Sequence, residues 1–128
     1  MAQIRTRGKT KRSGSGAKYI DYRKRKLYEL AGTSAMTRLG SFKKKTERTQ
    51  GGHAKDRLLD TNKVNLYDSK SKKYVLAYIE TVVENPANSQ LVRRNIITKG
   101  CIVQTNKGKA RITSRPGQTG FLNAVLVQ

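Results

Sequence analysis

All eight valines of this 128-residue chain lie beyond residue 57. Residues 1–57 hold seven Val, Ile, Leu or Met residues, and residues 58–128 hold twenty. Burial of apolar surface drives folding, so the C-terminal part can build a core and the N-terminal part largely cannot. The charge runs the other way. The first part carries 17 Lys/Arg against 4 Asp/Glu and the second 11 against 4, which gives the net +20 of the whole chain. The pattern describes a basic arm on a small folded module, and the partner it calls for is a polyanion.

The length suits one domain. A folded module of about 60–70 residues buries only about 60% of the surface that its unfolded chain exposes. With no Trp, two Phe and one Cys, its stability is expected to depend partly on its partner. Nucleic acid is the favoured polyanion, because phosphates relieve the self-repulsion of so many cations; an anionic membrane surface is the competitor. No run of about 18 apolar residues exists to span a bilayer, and no apolar stretch of about 7–15 residues follows the N-terminal charges as in a signal peptide. Residues 1–18 have some of the composition of an organelle transit peptide, but their cations are too dense to leave an amphipathic helix. A single cysteine, Cys101, excludes an internal disulfide and a Cys-rich zinc site. In Gly100-Cys101-Ile102-Val103 it reads as a small buried hydrophobe, and a reducing intracellular compartment is expected.

Residues 1–18 are basic and rich in Ser and Gly, the composition of a segment disordered in isolation. Tyr19 to Ala31 has the spacing of one short helix, with Tyr19, Tyr22 and Lys26 on one face, Leu27 and Leu30 as an apolar stripe, and Gly32 as its stop. Gly51-Gly52 punctuates the arm before the module. Beyond it the period becomes two. Val64 and Leu66 alternate within Lys63–Tyr67, and Asp68–Ser71 is a turn. Lys73 to Glu84 is a long strand with Val75, Ala77 and Ile79 on one face and Tyr74, Leu76 and Tyr78 on the other, the pattern of a central or barrel strand. Further strands are expected over Leu91–Thr98, Cys101–Thr105, Lys109–Thr113 and Phe121–Val127. Asn106-Lys107-Gly108 forms a hairpin loop, and the Pro116-Gly117 pair follows the type II turn pattern. The expected fold is mainly β: a small antiparallel β-barrel-like module with a basic N-terminal extension containing at most a short helix.

Cations beside aromatics are the raw material of RNA binding. In the extension these are Arg5, Arg7, Lys9, Lys11, Arg12, Lys18, Arg23, Lys24, Arg25, Lys26, Lys43, Lys44, Lys45 and Arg48, with Tyr19, Tyr22 and Tyr28 among them. The alternative for Arg23–Lys26 is a solvated helix face. In the module, Lys107, Lys109 and Arg111 point one way from a strand whose Gly108, Ala110 and Ile112 point the other. No acidic residue follows Glu84, while Arg93, Arg94, Lys99, Lys107, Lys109, Arg111 and Arg115 do. An ordinary exposed sheet mixes its signs, so this stretch reads as a binding face. His53 is an RNA contact or a structural residue, since metal ligation lacks partners. Glu80 and Glu84 lie four apart, and the pair lacks the geometry of a glycosidase. No enzyme, metal or cofactor constellation is present, and Gly14-Ser15-Gly16 lacks the Lys-Ser/Thr of a phosphate loop.

Three stretches carry a resemblance: Val82 to Asn88, continuing from Val92 to Gly100; Lys109 to Gln118; and Asn123 to Leu126. They resemble the archaeal, short form of the eukaryotic-type family of small-subunit ribosomal protein eight, which is unrelated to the bacterial protein of that number. Arg25–Leu30 and Gly51-Gly52-His53 extend the similarity more loosely into the N-terminal half, and Arg12–Gly16 and Asp60–Tyr74 depart from it. The resemblance implies a non-catalytic small-subunit component without cofactor or small-molecule substrate. It further implies a cytoplasmic, ribosome-bound protein beside ribosomal RNA and neighbouring small-subunit proteins, with no membrane. On this chain it implies an extension over 1–51 and a barrel-like body over 52–128. The competing reading is a free RNA- or DNA-binding module outside the ribosome.

Overall fold

The computed structural model describes residues 3–4, 15–17, 23, 24 and 26–127. The chain forms two compact units, Met1–Ser34 and Ala35–Gln128. In the first, β1 (Gln3–Ile4) pairs antiparallel with β2 (Leu30–Ala31). A single 3-10 turn, Leu27–Glu29, precedes β2. The helix expected over Tyr19–Ala31 therefore does not form over 26–31; residues 19–22 and 25 lie outside the described residues. Leu27 and Tyr28 are exposed, so this segment has no buried stripe, and an isolated short helix without one does not sustain itself.

In the second unit, β3 (Lys43–Arg48) and β4 (Ala54–Asp60) form an antiparallel ribbon. Its turn needs two successive residues at positive φ, Gly51 and Gly52, which glycine alone supplies without strain. Residue 51, the expected end of the extension, thus falls inside a hairpin whose two strands belong to one unit.

β5 (Lys63–Asp68), β6 (Lys73–Glu84), β7 (Ile102–Thr105), β8 (Gly108–Ile112) and β9 (Asn123–Leu126) follow as a closed five-stranded barrel. Four seams are antiparallel, and the closing β5–β9 seam is parallel. The alternation seen in sequence sets the inside: Val64 and Leu66 of β5, Ala77, Ile79 and Val82 of β6, Val103, Ala110, Ile112 and Ala124. Leu58 of β4, with Ile97, Cys101 and Leu122 from the connections, plugs the core. Tyr74, Leu76 and Tyr78 remain on the outer surface, so β6 is buried on one face only. Register irregularities between Ile79 and Thr81 and between Val82 and Glu84 return Val82 to the interior and bend this long strand around the barrel. Burial pushes the Cys101 thiol up from its ordinary value, as expected for an inert core residue.

Two local expectations change. Leu91–Thr98 is not a strand. Ser89–Arg94 is a 3-10 helix, with the Asn88 side chain accepting from Gln90 N at 2.9 Å and Asn95 closing it in the left-handed region. Ile96 and Ile97 are both buried, which a strand covered on one face does not allow for neighbours. The Pro116-Gly117 turn runs from Arg115 to Gln118, and Gly117 does not take positive φ, so it is not type II. Gly108 does adopt positive φ in its hairpin.

Asn85 is the polar centre of the connection that follows β6. It is buried, its amide donates to Ile96 O at 3.2 Å, and its carbonyl accepts from Ala87 N at 3.1 Å and Thr98 Oγ1 at 2.9 Å. It pins the 3-10 segment to the end of β6. Asn85→Ala strands the buried Ile96 carbonyl, at about 1–3 kcal/mol, and removes two part-buried hydrogen bonds, from Ala87 N and Thr98 Oγ1, at about 0.5–1.5 kcal/mol each. The variant is expected to lose about 2–5 kcal/mol in urea unfolding with an unchanged m-value; a loss below about 1 kcal/mol would show that water replaces the side chain.

Candidate nucleic-acid interface

The cations fall into three groups that differ in what surrounds them. In the first unit, Arg23 forks onto Glu29 at 2.8 and 2.7 Å. Lys26 N also donates to Glu29 Oε2 at 2.9 Å, and its ammonium lies 5.9 Å from the centroid of the Tyr28 ring. Lys24 and Lys26 are exposed. Arg5, Arg7, Lys9, Lys11, Arg12, Lys18 and Arg25 lie outside the described residues.

On the ribbon the lysine run is partly neutralised. Lys44 Nζ is 2.9 Å from Asp56 Oδ2, and Lys45 Nζ is 3.2 Å from Glu47, which also binds Arg57 Nε at 2.9 Å. Hydrogen bonds from the Thr46 hydroxyl and the Lys44 ammonium hold the Asp56 carboxyl below its usual range. Lys43 and Arg48 are exposed and make no ion pair among the described residues. Lys55, which the sequence pattern did not single out, reaches Gln118 Oε1 at 3.2 Å. A methyl group at Gly120 would stand 2.8 Å from Lys44 Cδ and 3.2 Å from Asp56 Cβ, so only glycine lets this loop lie against the ribbon. His53 is exposed at the ribbon tip, where its carbonyl accepts from Thr49 N and Oγ1 at 2.6 and 3.0 Å. Its backbone, more than its imidazole, is engaged.

The third group is the acid-free stretch. Arg93 and Arg94 end the 3-10 helix. Lys99 precedes Gly100, whose N–H donates to Ile112 O at 2.8 Å, so this turn caps the far end of β8. Lys107 sits in the hairpin loop. Lys109 and Arg111 stand on the outer face of β8, between the inward Ala110 and Ile112, as the alternation predicts. Arg115 follows at the turn. All seven are exposed, and among the described residues none makes an ion pair. Lys107, Lys109 and Arg111 form one ridge along the β7–β8 hairpin, with Gln104 opposite Lys109 and Ile102 opposite Arg111. Such groups can fork onto or point at phosphates without first leaving a carboxylate.

A closed five-stranded barrel with an exposed cationic ridge and a basic N-terminal unit defines a small, strongly basic β-barrel protein. The family model described as ribosomal protein S8e matches residues 6–127, and the chain belongs to that family. A small ribosomal subunit protein eS8 of Methanococcoides burtonii is 45% identical over 94% of this chain and 97% of its own length. Those of Methanosarcina barkeri, at 42% over 98% and 100%, and Methanobrevibacter smithii, at 45% over 95% and 98%, are similarly close. By family the chain is a structural ribosomal protein, not an enzyme. No helix among the described residues is long and apolar enough to cross a membrane.

Proposed function

We propose that this chain is a constituent of the small ribosomal subunit that binds and orders ribosomal RNA in the cytoplasm. The observation that carries the reading is the acid-free stretch: seven exposed cations beyond Glu84 with no ion pair among the described residues. A protein otherwise provided with carboxylates, as its own ribbon is, would not leave this charge unbalanced unless a polyanion supplied the balance. The N-terminal unit adds more of the same sign. The body docks as a rigid block, its arginines forking onto phosphate and its lysines acting as point charges, and RNA is read through shape and backbone more than sequence. The relatives named small-subunit proteins support the same assignment.

Sedimentation tests it. Tagged full-length protein is expected to migrate with small subunits and to remain there through a high-salt wash. The variant with Lys107, Lys109 and Arg111 changed to Gln is expected to be washed off. Recovery of the wild-type protein only at the top of the gradient, bound to free nucleic acid, would overturn the assignment in favour of a module working outside the ribosome.

A further inference from the structure

The opposite side of the barrel carries a second surface. On the outer face of the β5–β6 pair, Tyr67 lies across from Tyr74, Asn65 from Leu76 and Lys63 from Tyr78. Tyr74, Leu76 and Tyr78 are 74%, 52% and 46% exposed. The rings of Tyr67 and Tyr74 are 5.0 Å apart at their centroids and tilted by 46°. Beside them, Asn65 Nδ2 donates to Asn123 Oδ1 at 3.3 Å, placing amide groups at the edge of the aromatic row. Apolar residues that could have pointed inward are instead presented to solvent on a regular strand.

The charges around this face are chosen in one direction. Lys63 borders Tyr78, and Lys70, Lys72 and Lys73 lie in or beside the turn that joins Tyr67 to Tyr74; all four are exposed. The acid of that turn, Asp68, is occupied internally: it accepts from Lys70 N at 2.9 Å and Ser71 Oγ at 2.8 Å, which hold its carboxyl below the usual range. Glu80 lies past Tyr78, where the register shifts, and bounds the face at that end. Tyrosine suits protein and nucleic-acid partners alike, but lysine is depleted from protein interfaces. Aromatic rings on a sheet face with flanking cations are how unpaired nucleotides are held, each base stacking on a ring while its phosphate meets an ammonium. Along the strand, Tyr74 and Tyr78 are about 13 Å apart, room for successive unstacked bases.

We infer that the outer face of β5–β6 binds single-stranded nucleotides of RNA by stacking on Tyr74 and Tyr78, with Lys63, Lys70 and Lys72 on the phosphates. This rests on the reading of the chain as an RNA-binding protein and adds a site distinct from the β8 ridge. The chain has no Trp, so its intrinsic fluorescence reports its six tyrosines, three of them at this face.

Single-stranded oligoadenylate is expected to quench that fluorescence, and an RNA duplex of the same length to do so far less. Tyr74→Ala and Tyr78→Ala should each weaken oligoadenylate binding by about tenfold, within the range for loss of one stacked base. The salt slope and the duplex affinity should stay as they are. Tyr74→Phe and Tyr78→Phe, which keep the rings, should retain binding; both positions are exposed, and unchanged circular dichroism shows that the variants fold. Oligoadenylate affinity unmoved by both alanine variants while duplex binding persists would overturn this inference and leave the ridge reading standing. Failure of the wild-type chain to bind either RNA would remove both. Alanine variants that bind RNA normally but fail to enter subunits would overturn the inference by assigning the face to a protein neighbour.

Discussion

The affinity of the full chain for small-subunit RNA is expected to fall by about 10³–10⁵-fold between about 50 and about 200 mM salt, the response of a protein that makes roughly 6–10 phosphate contacts. The seven exposed cations after Glu84, which make no ion pair among the described residues, are of that number by themselves. The structure further divides the lysines by what each contributes. A cation that meets a phosphate releases counterions, and its removal lowers the slope of log affinity against log salt by about one. Lys109→Gln and Arg111→Gln should each have this effect. Lys44→Gln should move the slope far less, because Asp56 already balances that ammonium at 2.9 Å. Anisotropy titrations of a labelled RNA fragment over a salt series provide the slopes. A flat response would end the electrostatic mechanism. Equal losses for Lys44 and Lys109 would mean that the ribbon's ion pairs open on binding.

That contrast marks where the sequence was legible and where it was not. Alternation identified Lys63–Tyr67 and Lys73–Glu84 because a barrel strand covered on one face obeys a period of two, and the same rule placed Lys109 and Arg111 outward. Lys43-Lys44-Lys45 read as one cationic block, yet its partners, Asp56 across the ribbon and Glu47 two residues on, depend on hairpin register, which single-residue charge does not encode. Ile96-Ile97 read as strand because two β-branched residues favour it. Their burial is instead arranged by Asn85 and the Arg38 segment, both distant in sequence. Tyr74, Leu76 and Tyr78 opposite Val75, Ala77 and Ile79 fit a central strand or a barrel strand; whether an apolar alternate face is covered is decided by what packs on it, and nothing on one strand records that. Residues 35–51 contain little apolar matter, but they join the body mostly through backbone hydrogen bonds.

Those bonds set the second large effect. Deletion of residues 1–34 is expected to leave a cooperatively unfolding protein, and deletion of residues 1–51 is expected to abolish the cooperative transition. The first cut removes ten Lys/Arg and two acids but no part of the barrel, so it should weaken RNA binding and lower the salt slope while the fold persists. The second cut removes a short clamp. Thr37 Oγ1 donates to Leu58 O at 2.6 Å, Arg38 N to Leu59 O at 2.9 Å, and Thr61 N to Arg38 O at 3.0 Å, which hold the end of β4. On the other side, Ile97 N donates to Thr37 O at 2.8 Å and Leu39 N to Asn95 O at 3.3 Å, which hold the segment after the 3-10 helix. Leu39 also packs on the core. These five bonds, at about 0.5–1.5 kcal/mol each, are worth about 3–8 kcal/mol before any apolar exposure is counted, against a total stability of about 5–15 kcal/mol for a domain of this kind. Losing β3 as well leaves β4 without its partner. Calorimetry separates the outcomes: a single sharp transition for the shorter deletion and a broad or absent one for the longer. A sharp transition in both would show that the barrel closes without the 35–51 clamp, and would return the boundary of the basic extension to the glycine pair.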